Sequence, residues 1–338
     1  MSRICAVGAI TPMGNSEAEI WDNLDLKKGG ILNVRKDYNS RLGGRVRRRN
    51  SRFSDLAATA AMNCYDNFRM SNPEVKNEDI GCILSTDYGP LETNMEFAKQ
   101  IVDGDPDACS PIVFSNTVHN ACLGTIAIEL NITGPNTMLM GSDAVDYSEM
   151  ILEEKKAKTM ICGGVEEYNA ELKKSIDVFS DTQYNYGDVS VVFAIDNEIE
   201  KEGVNIIGSS SIGGVSAIFE QEGMDNELCE EFVEDMLNEY TPDVVICSDT
   251  NSRLKELEKN IINNKFKNIY TIDNFNEYFG MCLGAELPAK MLVAKMILEH
   301  KEIPEGLKNM DYNVEDIKRV AVLSTDITGN YYCKVMGL

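Results

Sequence analysis

The 338 residues are 43% hydrophobic and carry 55 acidic against 32 basic side chains, a formal charge of −23. This is enough apolar chain for one large domain or two closely packed halves, and the acidity argues against a protein that binds nucleic acid through its phosphates. No run of 18 or more apolar residues occurs, so no membrane helix is expected.

Ten cysteines lie singly along the chain, without a CxxC pair, and there are two histidines, His119 and His300. Most of the cysteines fall inside apolar runs, as buried free thiols do, so neither a metal centre nor a cofactor is expected. Ten unpaired thiols point to a reducing, cytoplasmic location. The opening "MSRICAVGAITPMG" has one Arg and no long apolar core, and it is expected to be a first strand, not a signal peptide.

In chain order, "ICAVGAI" predicts a strand and "SEAEIWDNLDL" a short helix opening at Ser16, with Glu17 and Glu19 in its first turn. "RLGGRVRRRNSR" (Arg41 to Arg52) is a basic island on an acidic chain. It is either a solvated loop before a helix or a patch for an acidic carrier or partner subunit. "RFSDLAATAAMNCYDNF" predicts a helix with an alanine-rich face, "IGCILSTD" a buried strand, and "PIVFSNTVHNACLGTIAIEL" a largely helical stretch. "NTMLMGSD" is a strand running into the helix "DAVDYSEMILEEKKA", and "KTMICGG" and "GDVSVVFAID" are further strands. Ser209 to Ser211, with Gly213 and Gly214, are expected to form a flexible loop that lacks the setting of a phosphate site.

The second half echoes the first. "DVVICSDT" parallels "GCILSTD", and the helix "ELPAKMLVAKMILEHK" followed by "RVAVLSTD" parallels the helix after Asp143 followed by "KTMICGG". The helix ending at His300 is taken as amphipathic, with His300 at a solvated C-terminus. Strand–helix–strand order in two similar halves implies an α/β layered sandwich, with residues 1–200 and 201–338 as the halves of one body and the changeover near "NEIEKEGVNIIG".

Several of these segments together resemble the β-ketoacyl synthase family. "AVGAITPMGNSEAEIWDNLDLKKGGI" is similar to the family's first strand, T-P-x-G turn and following helix. "SPIVFSNTVHNACLGTIAIELNITGPN" resembles its dimer-interface segment, "MICGGVEEY" its G-G-x-E turn, and "MCLGAELPAKMLVAKMILEHKEIPEG" its late histidine loop and helix. The resemblance implies a thiolase-type αβαβα sandwich.

It also implies where catalytic residues would stand. The family's cysteine lies nine residues after the Gly of the Gly-Pro, which is Asp143 here; the two histidine positions fall on Ser248 and Met281. The family's lysine corresponds to Asn276 or a neighbour, and its late glycine-rich turn is replaced by "STDITGN". Condensation needs a thiolate to take the acyl chain and two imidazoles to stabilise an enolate. A carboxylate at the thiol position would repel a malonyl carboxylate, and methionine donates nothing. "GVEE" (Gly164 to Glu167) is expected to be a structural turn. The chain also looks shortened around "SDTQYNYGDVSVVF" and after "GSSSIG".

The resemblance therefore implies a catalytically silent chain-length factor of a type II polyketide synthase, paired with an active ketosynthase and meeting an acyl carrier protein through that complex. Two other roles stand beside it: an enzyme of altered chemistry, such as a malonyl decarboxylase or acyltransferase using Asp143, and a homodimeric scaffold or carrier-binding module. On the first, Val113, Phe114, Thr117 and Asn120 lie at the two-fold interface, where they either close the partner's acyl tunnel or simply pack. The strand holding Met138 and Met140 pairs antiparallel with its counterpart. The tempting pair in "SNTVHNACLG", His119 and Cys122, sits on a helix and not at a strand-to-helix turn, so Cys122 is expected to be a buried structural thiol.

Overall fold

A computed structural model describes residues 1–26, 37–104, 107, 109–179, 185–199, 201–215, 225–249, 251–266, 268–309 and 316–338. The first half contributes β1 (Ser2–Ile10), β2 (Ile80–Thr86), β3 (Asn136–Met140), β4 (Thr159–Glu166) and β5 (Val189–Asp196). The second contributes β6 (Asn205–Ile212), β7 (Val244–Ile246), β8 (Tyr270–Ile272), β9 (Arg319–Thr325) and β10 (Tyr331–Gly337). The helices of the first half are α1 (Glu17–Asp25), α2 (Gly44–Arg47), α3 (Arg52–Ser71), α4 (Leu91–Asp103), α5 (Pro111–Ser115), α6 (Ala121–Leu130), α7 (Ala144–Glu153) and α8 (Ala170–Phe179). Those of the second are α9 (Asn226–Tyr240), α10 (Ser252–Lys265), α11 (Phe275–Phe279) and α12 (Glu286–His300).

The strands form one sheet in the order β3-β2-β4-β5-β1-β6-β10-β9-β7-β8. Its two ends match: β2 pairs parallel with β3 and β4, and β7 pairs parallel with β8 and β9. The repeats seen in the sequence take equivalent places, β2 and β7 second from each edge, β4 and β9 third. β1 and β6 meet through only two residue pairs, Ser2↔Ile206 and Arg3↔Asn205. Side chains, not this seam, join the halves.

The sheet folds over a shared middle layer. One core cluster takes alternate residues of β1 and β5, the inner faces of β7, β9 and β10, and the helices α7 and α12. The opposite faces are covered by α3 and α6 in the first half and by α9 and α10 in the second. Helix, sheet, helix, sheet, helix is the thiolase-type layered sandwich. Period-two alternation accounts for it: successive strand residues point to different layers, so β10 sends Tyr332 and Met336 inward and Tyr331, Cys333 and Val335 outward.

Two expectations are corrected here. The helix α12 is not amphipathic: every residue from Glu286 to Leu298 is buried, because it lies inside the folded sheet, packed on β9, β10, β5 and β4. Its lysines are met internally, Lys290 Nζ by Glu286 (2.6 Å) and the Cys247 and Leu323 carbonyls (2.9 and 3.0 Å), and Lys295 Nζ by Glu17 (2.6 Å) and Glu299. Ser209 to Ser211 are not a loop; they lie in β6, paired with Lys334, Cys333 and Tyr332 of β10. The stretch from Pro111 to Leu130 is largely helical as expected, in two helices, α5 and α6, separated by the turn at 116–120.

Candidate functional site

The strand β3 pairs with β2 in the register Met140↔Thr86, and the Gly141 N–H donates to the Thr86 carbonyl at 3.1 Å before the chain turns sharply into α7. Gly141 has φ +100, and a Cβ there would lie 2.6 Å from Asp326 Oδ2, so both backbone and space demand glycine. Asp143 then caps α7, its Oδ1 accepting the Asp146 N–H at 3.0 Å.

Asp143 is not free at this turn. Lys334 reaches across from β10 with no exposed side-chain surface, its Nζ 3.1 and 3.2 Å from Asp143 Oδ1 and Oδ2. The same ammonium contacts Asp146 and lies 2.6 Å from Ser209 Oγ, which donates to Asp146 Oδ1 at 2.5 Å. Burial pushes the Asp143 carboxyl up to about 7, against the pull of Lys334. Burial also raises Asp146, but its hydrogen bonds with Asp143 and the Lys334 cation outweigh that and hold it below the usual value. Burial opposes charge on Lys334, yet the two carboxylates keep its pKa above the ordinary lysine value. The signal for Lys334 in the sequence is a lysine inside the apolar strand "YYCKVMG"; nothing there tells that it meets Asp143.

Ser248, just past β7, is fully buried, and its N–H donates to Glu258 Oε2 at 2.7 Å. Glu258 Oε1 accepts from the Tyr331 hydroxyl at 2.7 Å, and burial raises Glu258 to about 7. Met281 is buried in an apolar cluster with Leu172, Ile176, Tyr186 and Leu283, against which Tyr168 and Ile327 pack. Among the described residues no hydrogen bond or ion pair links Asp143 to Ser248 or Met281. The Asn276 N–H donates to Asp249 Oδ2 at 2.8 Å. "GVEE" ends β4, where buried Glu166 accepts from the Thr86 hydroxyl at 2.7 Å and from the Asp87 and Tyr88 N–H groups.

Three of the other candidates, Asn120, Met138 and Met140, lie together at the sheet edge. Among the described residues β3 has one strand neighbour, β2. A cleft of ≈ 660 Å³ runs along it, lined by Val118, His119, Asn120, Leu123, Met138 and Met140 among others. Phe114, 60% exposed, packs on Phe97 with ring centroids 5.3 Å apart; Val113 is half-buried, and Met140 is 57% exposed. Thr117 Oγ1 donates to the Phe114 carbonyl at 2.8 Å. Ile112, Ile128 and Met150 are exposed as well.

Beside this edge, α2 carries the basic island, fixed by Asn116 Nδ2 to the Arg49 carbonyl and by Thr125 Oγ1 to Asn50 Oδ1, both at 2.8 Å. Arg45, Arg48 and Arg49 are exposed and make no ion pair among the described residues.

The pair from "SNTVHNACLG" does not form. Cys122 is buried, its thiol pushed up to about 12 by burial and turned to the His119 carbonyl at 3.3 Å. The His119 ring packs on Gly89, where a Cβ would come within 2.1 Å of Cδ2. His300 is exposed at the end of α12 and stacks on Trp21, centroids 3.8 Å apart.

With this geometry in view, comparison with known proteins is direct. The profile described as "Beta-ketoacyl synthase, N-terminal domain" matches residues 25–176. A 3-oxoacyl-[acyl-carrier-protein] synthase 2 of Synechocystis sp. is 28% identical over 185 residues. Over this first part the chain is similar to β-ketoacyl synthases. The match covers 48% of this chain and 44% of that relative, so the aligned part spans less than half of the curated protein. Over the whole chain the likeness is one of fold. The ishigamide ketosynthase/chain length factor superposes with a TM-score of 0.82 at 14% identity, covering 99% of this chain and 98% of that one. A type II PKS acyl-carrier protein in complex with its ketosynthase bound to the hexaketide gives 0.75 at 15% identity, with 99% of both chains covered. The segments around the shortened loop at 180–184 and after β6 at 216–224 lie outside the described residues.

Proposed function

We propose that this ketosynthase-like chain is a non-catalytic chain-length factor. In this role it pairs with an active ketosynthase and shapes its acyl tunnel in type II polyketide, or related polyene or fatty acyl, biosynthesis. The observation that carries the reading is Asp143: the turn from β3 into α7 bears a carboxylate, tied to buried Lys334, where the family's acyl-accepting thiol is expected. A carboxylate forms no useful thioester and repels a malonyl group, and the ion pair leaves it little freedom. Met281, buried among apolar side chains, supplies no donor to an enolate, and Ser248 is a neutral substitute.

The sheet edge supports the partner half of the reading. An edge strand β3 ending at exposed Met140 is a surface suited to strand addition by a second subunit, and exposed Phe114 on α5 to apolar packing. Val113, Phe114 and Thr117 are the proposed tunnel-facing positions, with Asn120, Met138 and Met140 at the interface. The arginine island next to that edge suits an acidic carrier or partner subunit, on a chain otherwise strongly acidic. Residues 1–200 and 201–338 are taken as halves of one body, in a reducing cytoplasm, with no cofactor.

Co-expression with an active ketosynthase tests this. A stable 1:1 complex is expected, with product length changed by Phe114→Ala; a soluble monomer indifferent to that partner refutes the reading.

One observation favours a second reading. The Asp143 carboxyl is held near neutrality, a range that suits proton transfer, as an enzyme of altered chemistry would need. Malonyl- and acyl-carrier substrates incubated with the isolated chain decide: carbon dioxide release lost in Asp143→Ala, or a covalent acyl adduct by intact mass, supports it.

A further inference from the structure

The contact set around the β3–α7 turn is unbalanced in charge. From α7 come Asp143 and Asp146; β10 brings Lys334 and Tyr332, β6 brings the neutral Ser209, and β4 brings Cys162. Asp326, in the turn before β10, is already taken up by the Tyr332 hydroxyl at 2.5 Å, Thr328 and Asn330. One ammonium with no exposed surface therefore faces two carboxylates. Two carboxylates, 13% and 34% exposed, against one buried cation leave a surplus negative charge at the turn unless one of them keeps a proton.

The geometry says which carboxyl holds it. Asp146 makes the closer contact to Lys334 and takes the Ser209 hydroxyl as well, whereas the Asp143 oxygens stand 3.1 and 3.2 Å from the ammonium. The Asp143 side chain is 13% exposed, so a proton can exchange with solvent. The residue before this turn, Met140, ends the edge strand.

We infer that the Asp143–Asp146–Lys334 cluster is a proton-operated latch on the edge strand. With one proton shared by the carboxyl pair the cluster is neutral and fixes the turn that follows β3; loss of that proton to solvent leaves one excess negative charge and loosens it. The latch is a property of the chain alone. Only its consequence, a pH-dependent grip on a second subunit, rests on the proposed function.

Amide hydrogen exchange of the full chain at pH 6 and pH 8, corrected for intrinsic rates and followed over residues 136–146, tests the latch. Protection in the unaltered chain is expected to fall at the higher pH, by up to about tenfold per pH unit, the limit for one proton. Asp143→Asn keeps the capping oxygen but not the charge, and Asp146→Asn leaves one carboxylate per ammonium; either should flatten the dependence. Equal protection at both pH values in the unaltered chain overturns the inference, as does an unchanged pH dependence in both variants. In parallel, the complex with an active ketosynthase should dissociate faster at pH 8 than at pH 6, and the Asp143→Asn complex should not. If no complex forms at either pH, the chain-length-factor reading fails, while the exchange data still judge the latch.

Discussion

Replacing Lys334 by Met removes the one cation that Asp143 and Asp146 share while leaving a side chain of comparable length in β10. Removing one partner from a buried ion pair costs about 3–5 kcal/mol, because the remaining charge stays desolvated. For 338 residues, an unfolding entropy of roughly 2.1 cal/mol/K per residue gives about 0.7 kcal/mol/K near the melting point. The melting temperature should therefore fall by about 4–7 °C at pH 8. Lowering the pH protonates the abandoned carboxylates, so the deficit should shrink at pH 5.5. Thermal unfolding followed by circular dichroism at both pH values measures it. The fitting control is Lys174→Met, whose pair with Glu171 is exposed on both sides and screened by solvent. A Lys334→Met loss no larger than that of Lys174→Met at pH 8 refutes the account of the cluster.

The carboxyls of Asp143, Glu166 and Glu258 are each pushed up to about 7 by burial. A carboxyl whose pKa rises on folding stabilises the fold most below its unfolded value, near 4, and that contribution is lost as pH rises through 7. Melting temperature should thus fall from pH 6 to pH 8, and Glu258→Gln should flatten the profile; a profile rising with pH would contradict the burial argument. Native-state alkylation with iodoacetamide should label half-exposed Cys109 and spare buried Cys122, as peptide mass mapping would reveal; equal rates would show Cys122 to be reactive after all. Phe114→Asp and Met140→Asp alter exposed side chains and should change stability by less than about 0.5 kcal/mol. Pull-down with an active ketosynthase should nonetheless weaken at least about thirtyfold, as for central interface residues. Undiminished capture would remove these residues from the interface.

Much of the fold was legible because it is written in local periodicity. Strand β2 was visible as an apolar run, and the repeat of β2 and β4 as β7 and β9 gave two matching halves before any coordinates. The helix start at Ser16 was equally clear, since its hydroxyl takes the Glu19 N–H at 3.2 Å. The turn at Gly141 to Asp143 was found by counting from Gly134, since chain spacing survives even where the residue type changes. The errors have a common cause. Ser209 to Ser211 look like loop residues by composition, yet they pair with β10, and the Ser209 hydroxyl meets Lys334 and Asp146, partners contributed by distant segments. The helix α12 contains two lysines in an apolar pattern, which reads as one wet face until the folded sheet encloses it.

The sequence by itself determined the layered α/β architecture, the repeat of β2 and β4 as β7 and β9, the absence of a thiol at the turn after β3, and the burial of Cys122. These depend on residue type and on spacing within a few turns of chain. Tertiary structure alone decided what holds Asp143. Lys334 is 191 residues away and becomes its partner only because β10 lies across the middle layer from α7. Likewise, only the strand order shows that β3 is, among the described residues, an edge strand ending at exposed Met140. Charge pairing and edge exposure are set by which surfaces meet after folding, and no local pattern encodes that.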